Sequence, residues 1–125
     1  MTENRKILLV DDDEEILKLE HKILTAQGYI CEMAHNGAEA LEHLKSGEFH
    51  LAILDVNMPD VDGFTVAERV QRDPQYGQPY VIFITARADA ESMSEGFSTG
   101  GVLYLTKPFT RSKLLDVVKA VTEMG

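Results

Sequence analysis

Leu51-Ala52-Ile53-Leu54-Asp55, continued by Val56-Asn57-Met58-Pro59-Asp60-Val61-Asp62-Gly63, is the stretch whose reading decides the fold. A short apolar run bounded by turn formers reads as a strand buried on both faces of a parallel sheet. It delivers one carboxylate, Asp55, at its C-terminal end. Pro59 and Gly63 then break the chain before a helical pattern opens at Phe64. Chemistry in open parallel sheets gathers at the carboxyl ends of strands, so Asp55 stands where a reactive group is expected.

The rest of the chain alternates in the same way. Residues 6–10 form a first buried strand that ends in Asp11-Asp12-Asp13. The next segment predicts a helix with Ile16, Leu19, Ile23 and Ala26 on one face and Leu17 and Leu24 beside them. Asp13 is its N-cap, Glu14 and Glu15 suit the positive end of the dipole, and Gly28 closes it as the C′ residue. Residues 29–34 are a second strand. Asn36-Gly37 leads into a short helix with Ala40, Leu41 and Leu44, which Ser46-Gly47 stops. After the central strand, a helix over 64–72 turns Phe64, Ala67 and Val70 inward, and 73–79 is a loop by composition. A fourth strand over 80–84 ends at Thr85-Ala86. A weakly amphipathic helix over about 90–98 relies on Met93 and Phe97, and Gly96 within it costs about 1 kcal/mol relative to Ala. A last strand over 102–105 precedes Lys107-Pro108, and a final helix from Arg111 carries Leu114, Val117, Val118 and Val121.

Strands alternating with helices predict an α/β fold: a five-stranded parallel sheet with helices on both faces, in three layers. Right-handed crossovers leave few topologies. The order 2-1-3-4-5, taken from the known repertoire of doubly wound sheets rather than from this chain, puts strands one and three side by side at the switch point. Asp11, Asp12 and Asp55 then share one crevice.

At 125 residues, 44% apolar and 26% charged, the chain suits one globular domain over 1–125. No apolar run reaches the roughly 20 residues of a membrane span, and the N-terminus is not a secretory signal. The single Cys31 excludes an internal disulfide and fits a reducing, cytoplasmic setting. A formal charge of −9 argues against direct contact with nucleic acid, which needs clustered Lys and Arg.

Crowded carboxylates raise one another's pKa unless a cation sits among them. Hard oxygen ligands with room for water favour Mg²⁺. Helix capping accounts for Asp13 and leaves Asp11 and Asp12 without a reason. A carboxylate also attacks phosphorus to give an acyl phosphate, provided that positive groups offset the phosphoryl charge. Lys107 and Thr85, at the ends of the fifth and fourth strands, supply an ammonium and a hydroxyl.

Leu8-Leu9-Val10-Asp11-Asp12-Asp13, Leu54-Asp55 through Asp62-Gly63, Ile84-Thr85-Ala86-Arg87 and Tyr104-Leu105-Thr106-Lys107-Pro108-Phe109 together resemble the motifs of response-regulator receiver domains. These form the CheY-like family of the flavodoxin-like fold. The resemblance runs through nearly the whole chain. It implies that Asp55 is the phosphoryl acceptor, supplied by a sensor histidine kinase or a phosphotransfer protein. It implies Mg²⁺ as cofactor, bound by Asp12 directly, by Asp11 mostly through water, by Asp55, and by the main-chain carbonyl of Asn57. Thr85 and Lys107 would contact the phosphoryl group, and the Lys107–Pro108 bond would be cis. Thr85 and Tyr104 would form the switch, remodelling the face made by the fourth helix, fifth strand and fifth helix. That face would dock an output protein or pair two copies of the chain. No external metabolite is turned over; the domain catalyses only its own phosphorylation and dephosphorylation. The alternative is a phosphorylation-independent interaction module on the same fold.

Some residues depart from the family pattern or stay ambiguous. Val102-Leu103 stand where many receivers are acidic, giving either a longer fifth strand or an apolar docking surface. Arg87 is read as slowing dephosphorylation, or as a solvent-facing arginine. The four histidines show no ligand spacing and read as surface residues. Rival folds fail locally. Three aspartates follow the first strand where a dinucleotide site needs glycines, and Pro59 occupies the fifth ligand position of an EF-hand counted from Asp55. The last helix lies close to Gly125, which leads to the expectation of a stand-alone regulator, or the N-terminal piece of a longer protein, without an output domain.

Overall fold

The computed structural model describes residues 5–86 and 90–123, the side chains of 90–92 excepted. Within them the order is β1 (Lys6–Val10), α1 (Glu14–Thr25), β2 (Ile30–Ala34), α2 (Gly37–Leu44), β3 (Leu51–Asp55), α3 (Gly63–Arg72), β4 (Tyr80–Thr85), α4 (Ala90–Ser98), β5 (Gly101–Thr106) and α5 (Arg111–Thr122). The strands form one parallel sheet in the order β2-β1-β3-β4-β5. This is the doubly wound, CheY-like order expected from the known repertoire of such sheets.

The central strand explains itself. All five residues of β3 are buried, because β3 is paired on both edges and covered on both faces. Alternate residues feed two cores. Ala52 and Leu54 join Leu8, Val10 and Phe83 against α2 and α3, whereas Leu51 and Ile53 join Ile7, Leu9 and Ile82 against α1 and α5.

Helix starts follow side-chain caps. Asp13 Oδ1 accepts from the N–H groups of Glu15 and Ile16 at 3.0 and 3.4 Å. Asn36, Asp62 and Thr110 accept in the same way from Glu39, Thr65 and Lys113. Asp60 adds a second clasp on α2: its two carboxylate oxygens accept from Gly37 and Ala38 at 3.1 and 3.0 Å, tying the β3–α3 loop to that helix. At the end of α1, Gly28 and Tyr29 donate to Thr25 and Leu24 at 3.0 and 3.3 Å, the paired closure expected of a C′ glycine.

The structure also corrects several expectations. The inward stripe of α1 is Leu17, Glu20 and Leu24 with Ile23, not Ile16, Leu19 and Ala26; Leu19 is 44% exposed. Residues 74–76 of the supposed loop form a 3₁₀ turn that buries Tyr76. β5 begins at Gly101, and a bulge lets Val102 and Leu103 both pack half-buried on the α1–α5 core. The histidines are not idle. His35 is 2.7 Å from Glu14 and 3.2 Å from Glu39, His43 is 2.9 Å from Glu32, and the ring of His50 packs edge-on against Tyr80. Gly96 has a packing reason as well: a Cβ there would overlap the hydroxyl of Tyr104.

Gly63 is the tightest point beside β3. A methyl group there would come 2.5 Å from the carbonyl oxygen of Asp55 and 3.0 Å from Cα of Val56, both backbone atoms that cannot step aside. Gly63→Ala should therefore lose about 1–3 kcal/mol in urea unfolding. Unchanged stability would mean that the β3–α3 loop gives way freely.

Candidate functional site

The sheet register builds the site. Val10 is level with Leu54, so Asp11, one residue on, stands beside Asp55. Asp55 pairs with Ile84 and Thr85 with Thr106, so Thr85 and Lys107 lie one step further out along the same edge. Two backbone bonds extend the pairing beyond the strands: Val56 N–H to Ile84 O at 3.1 Å and Lys107 N–H to Thr85 O at 2.9 Å. The Lys107–Pro108 peptide is cis.

Carboxylate oxygens of Asp11, Asp12 and Asp55 lie within 4.8 Å of one another, with Asp11 and Asp55 buried and Asp12 exposed. The Lys107 ammonium stands 2.8 Å from Asp11 Oδ2 and 3.7 Å from Asp55 Oδ1. The other oxygen of Asp11 accepts from the N–H of Asp13 at 2.9 Å. Asn57 donates its N–H to Asp55 Oδ1 at 3.4 Å, which brings its main chain to the same acid. Thr85 is buried at the end of β4. Tyr104 lies on the α4 side, its ring centroid 5.5 Å from that of Phe83 and 5.4 Å from that of Phe97. Arg87 lies outside the described residues.

Asp11 and Asp55 thus share one ammonium, and the titration behaviour reflects it. Burial, then the charge of Asp11, pushes Asp55 up to about 7, against the opposing pull of Lys107 and the Asn57 N–H. Burial works against the Lys107 charge, but the hydrogen bond to Asp11 and the surrounding acids outweigh it, so its pKa is raised. Hard oxygen donors in negative excess, one of them open to solvent, fit a divalent cation such as Mg²⁺.

One residue escaped the sequence reading. Glu20 is 1% exposed, on the inward stripe of α1. Burial, then the charge of Asp11, holds its carboxyl well above the usual range. The available signal was its spacing, three after Leu17 and four before Leu24.

Comparison with known proteins points to one family. The response regulator receiver domain family matches residues 7–119. The chain is 35% identical over 121 residues to the transcriptional regulatory protein RprY of Bacteroides fragilis, covering 97% of this chain and 50% of that protein. It is 32% identical over 120 residues to the transcriptional regulatory protein CusR of Escherichia coli K12, covering 96% and 52%. Among solved structures, the Vibrio cholerae chemotaxis protein CheY4 superposes with a TM-score of 0.90 at 33% identity, over 95% of this chain and 99% of that one. A CheY-like receiver domain protein from Methanospirillum hungatei gives 0.88 at 30% identity, over 97% and 95%. The chain spans about half the length of the curated relatives it matches. Because those relatives are transcriptional regulators, the exclusion of nucleic acid drawn from net charge does not extend to whole proteins of that kind. On its motifs, its strand order and these matches, the chain belongs to the response regulator receiver domain family.

Proposed function

We propose that this chain is one receiver domain, over residues 1–125, acting in the cytoplasm as a phosphorylation-controlled switch. Asp55 accepts a phosphoryl group from the phosphohistidine of a sensor histidine kinase or a phosphotransfer protein. The proposal rests on one observation: three carboxylates meet within 4.8 Å at the strand ends, beside a single ammonium. Asp55 is the acceptor because Asp11 is engaged on both oxygens and Asp12 points to solvent, whereas the contacts of Asp55, at 3.4 and 3.7 Å, leave it free to react.

One oxygen of Asp55 attacks phosphorus, and the P–O bond forms as the P–N bond to the donor imidazole breaks. That nitrogen keeps the electron pair and takes a proton from solvent. Lys107 turns its ammonium from the carboxylates to the phosphoryl oxygens, and Thr85 offers its hydroxyl to the same group. Asp11, Asp12, Asp55 and the main-chain carbonyl of Asn57 would hold Mg²⁺, which when bound supplies the positive charge that a phosphoryl group needs to enter an acidic pocket. Hydrolysis of the acyl phosphate returns the domain to its starting state, so no external metabolite is turned over.

The donor must cover the rim of this pocket. Leu19, Ile23 and Ala26 of α1 face Phe109, two residues after Lys107 in the chain, across a groove of about 350 Å³ flanked by Lys22 and Arg111. Apolar contacts bordered by cations suit a helical, acidic-rimmed partner. No helix among the described residues is long and apolar enough to cross a membrane. The output is proposed to be read on the face of α4, β5 and α5, by a partner protein or a second copy, with no direct contact to nucleic acid by this domain.

Incubation with acetyl phosphate and Mg²⁺ should add one phosphoryl group by mass spectrometry, and Asp55→Asn should abolish it. Labelling of neither protein would favour the phosphorylation-independent module. A second measurement isolates the docking rim: Leu19→Asp should slow transfer from the cognate kinase about tenfold, the scale of losing one buried apolar contact. Labelling by acetyl phosphate should be unaffected; equal losses in both assays would refute a docking role.

The raised pKa of Asp55 fixes a sign. In the metal-free protein the folded state keeps a proton on Asp55 between about pH 4 and pH 7 that the unfolded chain has released. Its contribution is therefore complete below pH 4 and is lost as pH rises through 7. In EDTA the thermal midpoint should fall by several degrees from pH 5.5 to 8, with a flatter profile for Asp55→Asn. A midpoint that rises over this range in wild type would show that Asp55 is ionised throughout.

A further inference from the structure

The segment between β3 and α3 carries Asn57, whose N–H meets Asp55, and hydrogen bonds fasten it at three points. At its base the N–H of Gly63 donates to the carbonyl of Val56 at 3.0 Å. At its exit Asp62 caps α3 by accepting from the N–H of Thr65 at 2.8 Å. The third hold reaches an element that the segment does not join: Asp60 accepts from Gly37 and Ala38, the first two N–H groups of α2, at 3.1 and 3.0 Å. The seat is shaped for it. A Cβ on Gly37 would lie 2.6 Å from the carbonyl oxygen of Val61 and 2.7 Å from its Cβ, so a glycine is what lets the segment lie this close. Ala40, Leu41 and Leu44 bury α2 in the core, which makes that helix a firm anchor. Asn36 already caps it, accepting from the N–H of Glu39 at 2.8 Å, so the helix does not need Asp60 in order to start.

We propose that Asp60 is a positioning residue for phosphoryl acceptance: by fastening the β3–α3 segment to α2, it sets the Asn57 N–H that orients the carboxylate of Asp55. This inference rests on the acceptor role of Asp55 proposed above. Among the described residues both contacts of that carboxylate fall on Oδ1, from the Asn57 N–H at 3.4 Å and the Lys107 ammonium at 3.7 Å. Together they fix its rotation and leave Oδ2 to face the incoming phosphorus. Lys107 stands closer to Asp11, at 2.8 Å, so the backbone N–H is the steadier of the two guides. Its 3.4 Å contact is at the long end for a hydrogen bond, where a small displacement breaks it. Met58 and Val61 seat the apolar side of the segment in the core, and Asp60 secures its polar side. Only Met58 and Pro59 separate Asp60 from Asn57, so movement at the clasp carries to that N–H. A misplacement of about 1 Å can slow a reaction about a hundredfold even when it starts away from the reacting atoms. A loosened segment is therefore felt at Asp55 with every acid and the lysine still in place.

Initial rates of labelling by acetyl phosphate with Mg²⁺, read by mass spectrometry, test this on wild type, Asp60→Ala, Asp60→Asn and Asn36→Ala. Asp60→Ala should lower the rate at saturating acetyl phosphate about tenfold and leave the half-saturating concentration within about twofold, because the groups that meet the reagent are unchanged. Asp60→Asn keeps one acceptor oxygen and should recover to within about threefold of wild type. Asn36→Ala removes a cap of α2 without touching the segment; it should melt at a lower temperature yet label within about twofold of wild type. Amide hydrogen exchange of the metal-free protein gives a second readout, in which Asn57 should exchange at least about fivefold faster in Asp60→Ala than in wild type or Asn36→Ala. A wild-type rate and wild-type exchange in Asp60→Ala, or equal slowing by Asn36→Ala, would overturn the role of Asp60 alone. No labelling of wild type would overturn the acceptor site itself, and this inference with it.

Discussion

The shared ammonium of Lys107 is the interaction on which the architecture of the site depends. It stands 2.8 Å from Asp11 and 3.7 Å from Asp55, and among the described residues it is the one cation paired with the acids gathered at the strand ends. The sheet offers no relief. β1 and β3 are locked side by side by their pairing, and each is covered by apolar side chains on both faces, so their C-terminal acids cannot drift apart. A paired lysine lowers the cost of such crowding without removing it, because ion pairs out of water recover only part of what desolvation takes. The pocket therefore carries an unfilled demand for positive charge. That demand makes the site receptive to a divalent cation, and it gives Asp55 an environment in which its charge state is readily changed. Stability is given up locally in exchange for reactivity, and the two apolar cores on either side of the sheet supply the surplus.

Much of this was legible in the sequence because the signals were local. Short apolar runs ending in Asp11, Asp55 and Thr85 located the strand ends, and Asp13, Gly28 and Gly63 punctuated the helices at or within one residue of where they lie. The strand order was not legible. It depends on which strands pair across crossovers, and no local pattern encodes that. The phase of α1 was misread for a physical reason: its true inward stripe is interrupted by Glu20, while Leu19 remains in solvent, so counting apolar residues favours the wrong face. The same blind spot hid the burial of Glu20 itself. Gly96 illustrates a different limit, since its propensity cost is visible in sequence but the Tyr104 hydroxyl that occupies the space of its missing side chain comes from another element.

The misread face of α1 also bears on recognition. An apolar stripe that fails to face the core is a poor use of leucine and isoleucine unless something else covers it. Leu19 and Ala26 remain outside the core and line a groove with Phe109, which follows Lys107 by two residues. The opposite end of the strands offers no comparable acid cluster among the described residues.

A switch also needs a route by which events at Asp55 reach the α4–β5–α5 face, and the sheet supplies a short one. Thr85 pairs with Thr106 across the β4–β5 ladder, and Tyr104 stands two residues earlier on the same side of β5. Its ring is held by Phe83 of β4 and Phe97 of α4, with its hydroxyl against Gly96. Phe97 is itself 48% exposed, so the α4 end of this aromatic stack lies at the surface. Inverting a 1:99 equilibrium takes roughly 5.5 kcal/mol of differential binding. Hydrogen bonds to charged groups contribute about 1.5–3 kcal/mol each. A single new hydrogen bond at the strand ends therefore falls short of inverting such an equilibrium, whereas two or three reach it. The notch at Gly96 gives the Tyr104 hydroxyl its place, so the setting of this ring depends on α4 as well as on β4.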